Sequence, residues 1–175
     1  MGKLSDKKIA FLIAPKDFRD EEYFKPKVVL QAKGAQVFTF AKGDPEEVTG
    51  SKNGKAHTTA KFEEVNPENF DAIVVVGGQG VQQYFDDIDI HQKLIQFFQA
   101  GKLVTAICSG PVVLANAGIL SGKKVTSWDQ EKDKLQAAGA IWQDQKTVID
   151  GNLITSQGPK TAMDFGMKIS QELSK

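Results

Sequence analysis

Leu103-Val-Thr-Ala-Ile-Cys-Ser-Gly-Pro111 is the stretch on which the reading of the fold turns. Its first five residues form a short apolar run of the kind found in strands buried on both faces of a parallel sheet. Gly110 permits a close turn, and Pro111 suits a first helical turn, where a missing N–H costs nothing, so a helix over Pro111–Ala117 is expected. Cys108 then stands on a strand-to-helix turn, the geometry of a nucleophile elbow.

The same order recurs on either side. Ile9–Ala14 reads as a strand and Glu22–Lys33 as a helix stopped by Gly34. Strands follow at Val37–Phe40 and at Ala72–Val76, the second ending on Gly77-Gly78, with a helix at His91–Gln99. Between these strands, Gly43–Asn69 is polar and rich in turn residues, including Asn53-Gly54, and reads as a small added hairpin. The remainder predicts strands at Lys124–Ser127, Thr147–Ile149 and Leu153–Thr155, a helix over Asp129–Ala138, and a terminal helix through Leu173. Alternating strands and helices give an α/β fold with a mostly parallel sheet, whose sites lie at the carboxyl ends of the strands. The loops after Ala14, Val76 and Ile107 therefore matter most.

The totals bound the function. A chain of 175 residues, 41% hydrophobic, fits one domain spanning 1–175 with a sizeable core. Lys and Arg number 22 and Asp and Glu 22, so there is no electrostatic footprint for nucleic acid or an anionic membrane surface. Met1–Lys8 is polar, with no signal peptide or membrane span, and a single cysteine suits a reducing compartment, so a cytoplasmic protein is expected. That cysteine is either a small buried hydrophobe or a reactive group. At an elbow, the unpaired N–H groups of the following helix should favour the thiolate and lower the pKa of Cys108.

Four strings in order, Gly77-Gly-Gln-Gly80, Ala106-Ile-Cys-Ser-Gly-Pro111, Ala117-Gly-Ile-Leu-Ser-Gly122 and Thr155-Ser-Gln-Gly-Pro159, make the chain resemble the DJ-1/PfpI superfamily over nearly its whole length. The resemblance implies a flavodoxin-like three-layer sandwich, related to class I glutamine amidotransferases, with a reactive elbow cysteine. It also implies a glutamate beside the thiol, followed four residues later by a proline, which Glu22 and Pro26 match. Pro26 would then belong in a first helical turn, with Glu22 at the helix entrance. Asp17, Asp20 and Glu21 are less well placed. A carboxyl group buried there would have its pKa raised and could shuttle protons, whereas a solvated acidic helix start is the competing reading. The Gly77-Gly78 turn and the residue after the cysteine would point the amides of Gly78 and Ser109 at an oxyanion.

The match also breaks. The peptidase-like branch carries histidine after the cysteine, where this chain has Ser109, and other relatives carry histidine where this chain has Trp128. Only His57 and His91 exist, and both read as solvated. Trp128 is a pocket wall or a packing residue, and Ser109 is a site residue or a helix cap.

Three functions that need Cys108 follow from the resemblance, beside a non-enzymatic chaperone or scaffold that would survive its loss. The first is a cofactor-free, metal-free glyoxalase or deglycase with a stress-protective role, in which Cys108 adds to a small aldehyde and Glu22 moves protons. The second is a redox sensor in which peroxide oxidises Cys108. The third is an intracellular cysteine peptidase, placed last because protonating a leaving amine usually needs histidine. A homodimer or higher homo-oligomer is expected, with no nucleic acid or membrane partner.

Overall fold

The apolar runs lie side by side at the centre of the molecule. The structure is a computed structural model that describes residues 3–175. In chain order it runs β1 (Lys8–Leu12), β2 (Lys16–Phe18), α1 (Asp20–Ala32), β3 (Gln36–Phe40), β4 (Glu47–Gly50), β5 (Lys55–His57), β6 (Ala72–Val75) and α2 (Ile88–Gln99). It continues with β7 (Leu103–Ile107), α3 (Gly110–Asn116), β8 (Lys124–Val125), α4 (Lys132–Ala137), β9 (Ile141–Trp142), β10 (Thr147–Asp150), β11 (Leu153–Ser156) and α5 (Ala162–Leu173). Six strands pair in the order β10-β11-β7-β6-β1-β3, parallel throughout except for β10 against β11.

Side chains on a strand alternate between faces, which explains why these strands are apolar without interruption. Ala10, Leu12, Ile73, Val75, Val104 and Ala106 join a core with Leu94 and Phe97 of α2 and Val112 and Val113 of α3. Their neighbours Ile9, Phe11, Val74 and Ile107 join a second core with Tyr23 and Leu30 of α1 and Phe165 and Ile169 of α5. Helices thus cover both faces of one sheet, as the expected sandwich requires. No helix of the described residues is long and apolar enough to cross a membrane.

The added hairpin is β4 with β5, and β2 joins it in parallel to make a separate three-stranded sheet. Asp20, the first residue of α1, fastens this unit. Its Oδ1 accepts from the Lys52 amide at 2.9 Å and its Oδ2 from the Gly54 amide at 2.7 Å. The hairpin is therefore tied to the same helical turn that carries Glu22.

Some expectations need correction. Pro26 lies inside α1 rather than in its first turn. An interior proline removes the N–H that would bond the carbonyl four residues back, here that of Glu22. Gly166 of α5 lets the two helices meet at this point, since a Cβ there would lie 2.9 Å from the Pro26 Cα. The strand expected at 124–127 is only Lys124–Val125, and it pairs with β9 outside the main sheet. The helix expected from Asp129 is a 3-10 turn, Asp129–Glu131, running into α4.

Candidate functional site

Cys108 leaves the end of β7 with φ of 65°, the left-handed region that non-glycine residues rarely occupy. Such a torsion costs roughly 1–3 kcal/mol and persists only where the surroundings impose it. Two backbone hydrogen bonds do so: the Cys108 amide donates to the Ser156 carbonyl at 3.0 Å, and the Trp128 amide donates to the Cys108 carbonyl at 2.9 Å. Gly110 lets α3 start at once, because a Cβ there would lie 2.7 Å from the Val75 carbonyl oxygen. The elbow read from the sequence is present.

Glu22, the third residue of α1, is wholly buried. A Cβ at Gly77 would run into Glu22 Oε2 and lie 2.6 Å from the Cys108 Cβ, so the bare glycine makes room for both groups to adjoin. Burial pushes the Glu22 carboxyl up to about 8, and the nearby Cys108 thiol and Gly77 backbone only hold that rise back. Neither carboxyl oxygen reaches full hydrogen-bond geometry with any partner among the described residues. The neighbouring acids are used elsewhere. Asp20 holds the hairpin, and Glu21 pairs with Arg19 at 2.7 Å and Lys52 at 2.6 Å, which pulls it down to about 2 despite partial desolvation.

The expectation of an acidic thiol is reversed. Burial, then the adjoining Glu22 carboxylate, push Cys108 up to about 12, against the Gly78 amide and Ser109 hydroxyl, which favour the anion. An elbow shows where a thiol stands but not how dry its surroundings are, and here desolvation wins. The pair shares its titration: one proton leaves near 8, and the second is held far more tightly.

Around the thiol lies a cavity of about 570 Å³. The three expected loops contribute Arg19 and Glu22, then Gly78 and Gln79, then Cys108 and Ser109. Gly78, with φ of 103°, lines the cavity, and its amide favours the thiolate form of Cys108. Trp128 lines the mouth, 43% exposed, with its ring over Gly158. Ser109 does not cap α3 with its side chain; its hydroxyl donates instead to Glu131. Neither histidine lines the cavity: His57 sits on β5 near Glu47, and the His91 ring bonds the Phe85 carbonyl oxygen at 2.8 Å. Among the described residues, no cluster of three or more His, Cys, Asp or Glu side chains could hold a metal ion.

Arg19 and Glu131 escaped the sequence reading. Arg19 follows the elements singled out at the first loop, but Glu131 belongs to a fourth loop, after β8, and meets Ser109 only through the fold.

The chain is similar to known proteins along nearly its whole length. A model described as the DJ-1/PfpI family matches residues 7–172. The chain is 35% identical over 158 residues, 87% of its length and 90% of the relative's, to Deglycase PfpI of Pyrococcus furiosus. It is 32% identical over 169 residues, 97% of its length and 90% of the relative's, to the glutathione-independent glyoxalase DJR-1.2 of Caenorhabditis elegans. The crystal structure of a ThiJ/PfpI domain protein from Brachyspira murdochii superposes with a TM-score of 0.92 at 29% identity, covering 98% of each chain.

Proposed function

The chain belongs to the DJ-1/PfpI family, and on that premise we propose that it is a cysteine-dependent enzyme acting on small reactive carbonyls, as a glyoxalase or deglycase. The observation that carries this reading is the buried Glu22 carboxyl, unpartnered and set against the Cys108 thiol at the base of an open cavity. Leaving two carboxyl oxygens dry and unbonded is costly, which suits a group whose partner arrives with the reaction.

On a 2-oxoaldehyde the chemistry runs as follows. The Cys108 sulfur bonds to the aldehyde carbon while its proton passes to the Glu22 carboxylate, and the Gly78 and Ser109 amides hold the oxygen that gains charge. That oxygen takes the proton back from Glu22, giving a hemithioacetal and restoring the carboxylate. Glu22 then moves the hydrogen of the former aldehyde carbon to the neighbouring carbonyl carbon through an enediol, leaving a thioester. Water cleaves the thioester to a 2-hydroxy acid and restores the thiol. No redox partner enters, because one carbon is oxidised as its neighbour is reduced. On the hemiaminal that an aldehyde forms with an amine, the sulfur would bond to the same carbon as its bond to nitrogen breaks, and the thiol proton, carried by Glu22, would leave with the amine.

The test is the conversion of methylglyoxal to lactate by wild type, Cys108→Ala and Glu22→Gln. Loss of turnover in Cys108→Ala with the fold retained supports the proposal, and undiminished turnover refutes it. A redox role is the second reading: the Gly78 amide that faces the sulfur would also bond an oxidised sulfur. Peroxide treatment followed by mass spectrometry separates the two, because a sensor oxidises readily without turning over methylglyoxal.

A further inference from the structure

Besides Glu22, two carboxylates line the cavity, Asp17 and Glu131, and no step above uses either; only Glu131 bonds a neighbour of the thiol. Glu131, at the end of the 3-10 turn after β8, is buried despite its charge. Its Oε1 accepts the hydrogen of Ser109 Oγ at 3.1 Å, and its Oε2 pairs with Lys134 Nζ at 2.7 Å. Ser109 follows Cys108 directly, the two line the same cavity, and the Ser109 hydroxyl favours a thiolate there. A hydroxyl carries one hydrogen. Two acceptors therefore contend for it, and in this structure Glu131 has it.

We propose that Glu131 is a positioning residue that restrains the nucleophilicity of Cys108 by holding the Ser109 hydrogen away from the sulfur. The proposal rests on the reading that the Cys108 thiol is the reacting group. Glu131 would act through Ser109, on a sulfur that otherwise faces Glu22 and Arg19 from the α1 side and the Gly78 amide from the β6 side. Lys134 fixes the carboxylate from behind, so that Oε1 stays turned to Ser109. The thiol is thus kept quiet at rest, and it gains a donor whenever Ser109 turns.

A bare charge effect is the rival, since removing any nearby carboxylate also favours a thiolate. Alkylation of the chain's single cysteine by iodoacetamide at pH 7, followed by mass spectrometry, tells the two apart. A hydrogen bond to an ionised partner is strong enough that Glu131→Met, which removes the acceptor, should speed alkylation roughly tenfold. Glu131→Gln loses the charge but keeps an acceptor oxygen, and should stay within about twofold of wild type. In Ser109→Ala, adding Glu131→Met should bring no acceleration; because that double variant carries the same packing change, it also controls for loosened structure. The proposal is overturned if Glu131→Met does not accelerate, if Glu131→Gln matches it, or if the acceleration survives without the Ser109 hydroxyl. If Cys108→Ala turns over methylglyoxal as fast as wild type, the Cys108 reading itself fails and takes this proposal with it.

Discussion

Replacing Glu22 with Gln should change how stability depends on pH. In the unfolded chain the carboxyl ionises at an ordinary 4.5, and in the fold burial holds it protonated up to about 8. Between these values the folded state keeps a proton that the unfolded state has released, so stability must fall as pH rises. The raised carboxyl costs nothing below 4.5 and its full amount above about 8. At about 1.4 kcal/mol per pH unit the ceiling is about 5 kcal/mol, comparable with the whole stability of a marginal domain. Some of that is recovered if the ionised carboxylate turns toward the cavity, so a loss of about 2–4 kcal/mol between pH 5 and pH 8 is expected. Cys108 does not blur this window, since its rise from 9.0 to about 12 acts only above pH 9, nor does Glu21, whose fall from 4.5 to about 2 acts only below it. The assay is urea unfolding of wild type and Glu22→Gln at pH 5, 6, 7 and 8. Wild type should weaken along the series relative to the variant, and the variant should be the more stable protein at pH 8. Two curves that run parallel within about 1 kcal/mol would refute the argument, because a carboxyl that does not link protons to folding is not held in a dry site.

Two further outcomes follow from the same geometry. Methylglyoxal turnover should climb with pH through a single ionisation near 8 and level off above it, whichever of the two groups carries the remaining proton, because the active form has lost one proton from the pair. A profile already flat from pH 6 upward would remove Glu22 from the proton path. Gly77→Ala would force a methyl group between Glu22 and Cys108, and overpacking of this kind costs roughly 1–3 kcal/mol. Urea unfolding should show that loss, and turnover should drop at least tenfold, while an unchanged kcat would mean that the pair need not adjoin.

The parts legible in the sequence were those whose cause is local. β1, β6 and β7 announce themselves as unbroken apolar runs because both faces are covered, and Gly110-Pro111 marks the turn that lifts Cys108 out of β7. β2 could not be read that way. Lys16-Asp-Phe18 has no strand pattern of its own and pairs with β4 only across an irregularity at Asp17, whose φ is 60°. β8 and β9 are two residues each and exist only as partners of one another. Pro26 misled for a different reason: a proline usually opens a helix, but α1 begins earlier and accepts it in the interior against Gly166. The thiol's acidity was misjudged because solvent exclusion depends on what packs over the elbow. Glu131 stayed invisible because its meaning lies in a side chain 22 positions away.

On the proposed function, the left-handed torsion at Cys108 restricts where this protein could keep a nucleophile. Ile107 is folded into the core beneath α5, and the Ser109 hydroxyl is tied to Glu131 at the cavity wall, so of these three side chains it is the one at the strained position that adjoins Glu22. Evolution or a protein engineer can exchange what stands there, serine or alanine for cysteine, without rebuilding the elbow. Shifting the reactive group by one residue would instead mean redrawing the backbone path from β7 into α3. The location of the chemistry is inherited from the main chain, and the side chain decides only what chemistry is done.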